Sequence, residues 1–177
     1  MTVGAEFLAG LVAAAEAIRA RAAERHAGLE GADLAGIGWA TVELERAVRE
    51  VGAALGLDPG AWVPAARDDV LGARAWSALL PVEAGPTIVL LEPDTEGRLA
   101  ATLVRFAEGV AAVYLRGQGA GGSASGPGLA ATDIGASTVA QGALGPARLV
   151  PGAPAWGPHA LLLEPPGPGR DAMPVER

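Results

Sequence analysis

The 177-residue sequence has neither cysteine nor lysine. Without cysteine there is no disulfide, no thiolate nucleophile and no sulfur-ligated metal, and the redox compartment leaves no mark on the chain. Without lysine, Schiff-base catalysis and P-loop phosphate binding are excluded, because both need a primary amine. Histidine is limited to His26 and His159, at unrelated positions, and no G-x-S-x-G elbow occurs. That is a poor basis for a Ser-His-Asp triad or an all-protein transition-metal site. Positive charge is scarce too: 13 arginines face 20 acidic residues, for a net charge of −7. Such a chain repels phosphate backbones and anionic lipid, so neither nucleic acid nor a membrane surface is an expected partner. The one apolar start, Phe7 to Ala15, is preceded by Glu6 and broken by Glu16 and Arg19. It is neither a signal peptide nor a membrane span, and a cytoplasmic location is expected.

What the sequence does contain is apolar but small. Half the residues are hydrophobic, many of them alanine, and aromatics make up only 4%. The core is therefore expected to be built of small side chains, with Trp39, Trp62, Trp76 and Trp156 as bulky fillers. A repeat organises the rest. Gly85 to Arg98, GPTIVLLEPDTEGR, returns at Gly157 to Arg170 as GPHALLLEPPGPGR, an offset of 72 with eight of fourteen positions identical. A weaker echo links Gly36 to Val42, GIGWATV, with Gly109 to Leu115, GVAAVYL, at an offset of 73. An interval of that size indicates duplication of a module, longer than a solenoid repeat.

From Ala5 to Ala27 the apolar residues Phe7, Leu8, Leu11, Val12, Ala15 and Ile18 fall at helical spacing, which predicts an amphipathic helix needing a surface to dock on. His26 is expected to be solvated at its polar end. A strand over Leu34 to Val42 then leads into a helix over Glu43 to Leu55, closed by Gly56. Strands follow over Ala61 to Ala66, Val70 to Val82 and Thr87 to Leu91. The first half thus reads β-α-β-β-β. Asp94-Thr95 is expected to cap a linker helix over Glu96 to Ala107. Val110 to Arg116 opens the second half, Gly117 to Gly128 reads as a flexible loop, and Leu129 to Ala143 as a weak helix. Short strands are expected over Arg148 to Val150 and His159 to Glu164, and a disordered tail after Pro165.

Two local patterns carry bland readings. Gly117, Gly119 and Gly122 satisfy G-x-G-x-x-G, but the SASGPG that follows cannot open the helix a dinucleotide site requires. Asp68-Asp69 are adjacent and point to opposite sides of any strand, so they read as a turn or solvated face rather than an acid/base pair.

Three stretches together resemble the vicinal-oxygen-chelate superfamily, which includes glyoxalase I, bleomycin-resistance proteins and methylmalonyl-CoA epimerase, the epimerase-type members most of all. Gly36 to Ala47, GIGWATVELERA, resembles the first strand running into its helix, and Thr87 to Pro93, TIVLLEP, the fourth strand. Arg98 to Leu115, RLAATLVRFAEGVAAVYL, resembles the linker helix, a Gly-Glu-Gly turn with Ala107 replacing the first glycine, and the fifth strand. The resemblance implies an α+β fold in which two βαβββ modules form a cupped mixed sheet, here preceded by the extra N-terminal helix. The expected divisions are 1–30, the helix; 31–94, the first module; 95–108, the linker helix; 109–165, a shortened second module; and 166–177, the tail. It also implies four metal-ligand positions facing into the cup, which fall on Gly36, Val89, Ala112 and Leu161. None of these can coordinate a divalent ion. No metal and no other cofactor is therefore expected. Glu92 and Glu164 match a Glu-Pro strand end instead, where a solvated terminus is the expectation.

Strand alternation assigns the remaining cup lining to Gly38, Ala40, Leu91, Tyr114, Arg116 and Leu163. An apolar cup with one phenol and one guanidinium suits a small organic ligand bearing a flat or anionic group. Equally, Tyr114 and Arg116 could simply close a filled barrel. Three functions stay open on this reading: a metal-independent small-molecule-binding protein; a lyase, epimerase or isomerase with an atypical site drawing on His159, Glu92 or Glu43; and a structural or regulatory homodimer joined through the N-terminal helix.

Overall fold

A computed structural model describes residues 3–82, 85–117 and 138–165. Three helices, α1 (Val3–Arg25), α2 (Leu44–Leu55) and α3 (Arg98–Phe106), accompany eight strands. The strands are β1 (Asp33–Ala40), β2 (Val63–Pro64), β3 (Ala73–Leu79), β4 (Thr87–Pro93), β5 (Gly109–Arg116), β6 (Ala140–Gly142), β7 (Gly145–Leu149) and β8 (His159–Leu163). They form one mixed sheet in the order β2-β3-β4-β1-β5-β8-β7-β6. In each half an antiparallel set returns to pair in parallel with the half's first strand, β4 on β1 and β8 on β5, and the halves join through the antiparallel β1–β5 pair. This is the α+β fold of two modules expected from the sequence. Residues 118–137, with nearly all of the loop and most of the weak helix assigned there, lie outside the described residues, as does the tail.

The 72-residue repeat holds in three dimensions. Leu90 and Leu162 both face the helices, while Val89 and Leu161 both face the cup. Glu92 pairs with Arg74 of the neighbouring β3, and Glu164 pairs with Arg148 of the neighbouring β7. These glutamates are partnered rather than merely solvated, and Glu92 also accepts the backbone N–H of Leu44, capping α2 from a distance. The weaker echo is out of register. Gly36 lies opposite Thr87, and Ala112 lies opposite His159, so the ladders match Gly36 with Ala112 at an offset of 76, not 73.

Alternation sorts the strand residues onto two faces. Ile37, Ile88, Leu90, Val113, Leu115, Ala160 and Leu162 lie under the helices. α2 covers the first module with Leu44, Ala47, Val51 and Leu55. α1 brings Leu11, Ala15, Ile18 and Ala22, spaced four, three and four apart, onto β5 and β8 and against α2. The N-terminal helix thus serves the second module as α2 serves the first, and its buried stripe is occupied within the chain. Phe7 is partly buried, its ring 5.7 Å from that of Trp39.

Several boundaries move for identifiable reasons. β3 starts at Ala73 because residues 68–72 form a tight turn. Asp94 does not cap α3; Arg67 takes its carboxylate through two hydrogen bonds of 2.7 and 2.8 Å, and α3 begins at Gly97-Arg98 without a side-chain cap. Residues 140–142 are strand rather than helix, because Gly142 lets the β6–β7 hairpin close tightly: a Cβ there would lie 3.0 Å from the Gly145 carbonyl. Of the four tryptophans, Trp156 stands apart, 44% exposed.

The turn from α3 into β5 joins the modules under strain. Ala107 sits at φ 61° and ψ −163°, a region that is essentially glycine's. Its neighbour Glu108 holds it there, accepting hydrogen bonds from the Thr41 hydroxyl, the Val42 N–H and Arg46. Arg46, above all, holds the Glu108 carboxyl down at about 2. Relief of strain of about 1–3 kcal/mol should outweigh the roughly 0.5–1 kcal/mol that glycine's freedom costs. Ala107→Gly is therefore expected to raise the unfolding free energy in urea by about 0.5–2 kcal/mol, and a decrease would show that the turn is unstrained.

Candidate functional site

The concave face of the sheet gathers the cup residues assigned from sequence. Gly36, Gly38, Val89, Leu91, Ala112, Tyr114 and Leu161 all lie in its interior and are all buried. Arg116, on the same face of β5, stands exposed at the rim. The interior is closely packed at β1. A Cβ on Gly36 would fall 2.4 Å from Leu144 Cδ1, and one on Gly38 would fall 2.9 Å from both Ala112 Cβ and Leu91 Cδ1. Leu144, at the β6–β7 turn, thus occupies the space into which a side chain at position 36 would project. Burying leucines and valines in this way contributes roughly 1.5–3 kcal/mol each.

At the centre lies a residue that sequence reasoning placed on the surface. Asp68 is 0% exposed. Its Oδ2 accepts the Tyr114 hydroxyl at 2.7 Å and the Ala143 N–H at 3.2 Å, while Oδ1 accepts the Leu71 N–H at 2.9 Å. Next to it the Asp69 N–H donates to the carbonyl of Gln141 in β6 at 2.7 Å. β2 and β6 are opposite edges of the sheet, so the turn after β2 reaches across and fastens to the far edge. The Asp68-Asp69 pair is a turn, as expected, but only Asp69 is solvated. Burial, reinforced by the Asp68 charge, pushes the Tyr114 phenol well above its ordinary value of 10.0. The phenol is a fixed neutral donor, with its proton committed to Asp68.

His159 is the other buried polar group of this face, beside Ala112 across the parallel ladder. Its Nε2 lies 3.5 Å from the Thr102 hydroxyl of α3, and its Nδ1 has no partner among the described residues. Burial lowers its pKa to about 4, so the ring is neutral. His26, expected to be solvated, instead bonds the Pro151 carbonyl at 2.9 Å through Nε2. Glu43, exposed, and Glu92, bound to Arg74 and the Leu44 N–H, lie outside the cup's packed interior.

No trio of His, Asp or Glu placed to hold a metal ion occurs among the described residues. The positions matched to metal ligands by resemblance carry hydrogen, isopropyl, methyl and isobutyl groups, and the Leu144 side chain lies against Gly36. None of these four groups can donate to a metal ion. No helix among the described residues is long and apolar enough to cross a membrane. Asp68 carried no signal in the sequence that a solvated turn aspartate lacks.

No protein-family model matches the chain, and no curated protein matches its sequence. Solved structures do resemble it. A methylmalonyl-CoA epimerase from Mycobacterium tuberculosis superposes with a TM-score of 0.56 at 20% identity, over 75% of this chain and 87% of that one. A variant of the Streptomyces coelicolor methylmalonyl-CoA epimerase, in complex with 2-nitronate-propionyl-CoA, gives 0.52 at 18% identity, over 73% and 94%. A hypothetical protein, BH1468, from Bacillus halodurans gives 0.50 at 14% identity, over 75% and 94%. At these identities the likeness establishes the fold that the chain shares with these structures and nothing beyond it.

Two outcomes test the buried polar pair and the buried histidine. Tyr114→Phe leaves Asp68 short of one donor, and is expected to lower the unfolding free energy by about 1–3 kcal/mol; no loss would mean the bond is not formed. For His159 the folded pKa lies below the unfolded value of 6.5, so the unfolded chain binds the extra proton. The stabilisation is complete above pH 6.5 and is lost as pH falls toward 4. Between pH 6.5 and 5 the slope attributable to this residue should approach about 1.4 kcal/mol per pH unit. Urea unfolding of His159→Leu over that range should be flatter than wild type by this amount.

Proposed function

We propose that this chain, built on the vicinal-oxygen-chelate fold, is a metal-independent small-molecule-binding protein whose ligand is a partly apolar organic anion held at the mouth of the cup by Arg116. The observation that carries this reading is the composition of the cup's centre. Gly36, Val89, Ala112 and Leu161 offer no donor atom, and the buried carboxylate of Asp68 is already engaged by three N–H and O–H donors. Arg116 lies two residues beyond Tyr114 on the same face and is exposed, so an anion can reach the guanidinium without breaking the Tyr114–Asp68 bond. The structural neighbours support a ligand of this type, because the complexes among them hold acyl-CoA esters, which are organic anions.

An epimerase with an atypical site is the second reading, favoured by those same neighbours and by the neutral His159 next to Ala112. It requires a base with access to substrate, whereas His159 is fully buried. The homodimer reading loses its expected interface, since the stripe of α1 is covered by β5, β8 and α2.

A thermal-shift and calorimetric series over short acyl-CoA thioesters and their free acids tests the proposal. Binding is expected without added metal, weakened about tenfold in Arg116→Ala as a charge-assisted hydrogen bond is removed. Methylmalonyl-CoA in deuterated water should show no exchange of its acidic C–H. Stoichiometric zinc or manganese in the purified protein, lost in His159→Ala, or exchange abolished by the same variant, would replace this reading with the enzymatic one.

A further inference from the structure

A second hollow lies away from the cup, on the side where α1 ends. Its volume is about 210 Å³, and it is bounded by the C-terminal half of α1, the end of α3 and residues 150–158. A shallower hollow of about 330 Å³ adjoins it, sharing Arg21, Phe106 and Pro158. The wall is rigid for reasons visible in the sequence. Pro151, Pro154 and Pro158 restrict the backbone, the Gly157 N–H closes a turn on the Pro154 carbonyl at 3.0 Å, and His26 and Thr102 fasten the segment at Pro151 and Gly157.

The chemistry of the hollow runs against the composition of the protein. The chain has seven aromatic residues in all, yet Phe106 is 55% and Trp156 44% exposed here, with rings 6.2 Å apart. Arg105 lies over the Trp156 ring at 4.8 Å. Arg21 and Arg25 line the hollow, and no acidic side chain does. Among the described residues Arg19, Arg46, Arg67, Arg74 and Arg148 engage carboxylates, whereas Arg21, Arg25 and Arg105 engage none. In a protein of net charge −7, three uncompensated guanidinium groups around an exposed indole form a local positive field over an apolar floor. The combination matches one class of ligand: guanidinium forks recognise carboxylates, and indole and phenyl faces accept a flat apolar body.

The geometry points to a binding site for a small aromatic carboxylate in this hollow, formed by Arg21, Arg25, Phe106 and Trp156. A volume of 210 Å³ is below that of pockets for drug-sized ligands, which begin at about 300 Å³, so the ligand is of one or two rings. The site does not depend on the cup or on Arg116. It exists because α1 lies across the second module and brings its last two turns against the proline-rich segment.

The full chain is titrated with 1-naphthoate, with the neutral 1-naphthamide and with acetate, by calorimetry and by NMR of the indole N–H groups. Naphthoate is expected to bind, to shift the Trp156 indole and to weaken with added salt, while naphthamide and acetate bind at least about tenfold more weakly, each lacking one half of the recognition. The Arg21→Gln/Arg25→Gln variant and Trp156→Ala should each lose about tenfold in affinity with melting temperature unchanged, and Arg116→Ala should lose none. Equal binding of naphthamide, or no saturation by naphthoate, overturns the site. So does a loss in Arg116→Ala as large as in the hollow's variants, which assigns the ligand to the cup instead. A dimer that Trp156→Ala dissociates also overturns it, since the exposed rings would then belong to a contact between two copies.

Discussion

A single buried carboxylate determines what the cup can be. A curled eight-stranded sheet has two edges that must be paired, covered or joined, and here the turn after β2 carries Asp68 and Asp69 to the β6–β7 hairpin of the other module. Burying a carboxylate would be prohibitive without compensation. Three donors from three different segments supply it: Leu71 in the same turn, Tyr114 on β5 and Ala143 beyond β6. Each donor is placed by a different part of the sheet, so the carboxylate is satisfied only when both modules are folded and correctly aligned. The closure of the sheet and the neutrality of Tyr114 follow from that one requirement.

The outer face solves a different problem by different means. Each module needs a helix to cover the apolar underside of its strands. α2 follows β1 directly and covers the first module, as a βα unit dictates. The second module is covered by α1, from the opposite end of the chain. That arrangement accounts for the otherwise unexplained N-terminal extension, and for the alanines at positions 15 and 22, whose small side chains let the helix approach β5 and β8 closely. It also creates the hollow beneath Arg21 and Arg25, because a helix laid across the second module meets the 150–158 segment end-on.

How much of this the sequence revealed depends on whether the signal was periodic. Strands and helices with alternating or three-and-four spacing were legible, as was the repeat of Thr87 to Glu92 in His159 to Glu164, because an LLEP strand end carries side chains specific enough to fix register. The β1 and β5 echo was not, since GIGWATV and GVAAVYL are small residues that align almost equally well at several offsets; only the ladders decide for 76. Asp68 was illegible because a turn aspartate looks the same whether its carboxylate meets water or a tyrosine from forty-six residues away. Asp94 shows the converse: a good helix cap by local rules was claimed by Arg67, a stronger bidentate partner. Among the candidate site residues, membership of the cup followed from strand parity alone. That its interior is filled followed from Leu144, which no parity argument could place.

Leu144 and Gly36 show how the two modules share the interior of the cup. A ligand side chain at position 36 and the leucine compete for the same volume, since a Cβ there already lies within 2.4 Å of the leucine methyl. With glycine at 36, the hairpin can lay a partly buried apolar side chain against the cup's interior, where it adds to the packing. The hairpin that delivers Leu144 also delivers the Ala143 N–H to Asp68. A side chain at position 36 would therefore require the Leu144 side chain to turn aside, while the backbone of the same hairpin keeps the Ala143 N–H on Asp68 and the two modules joined.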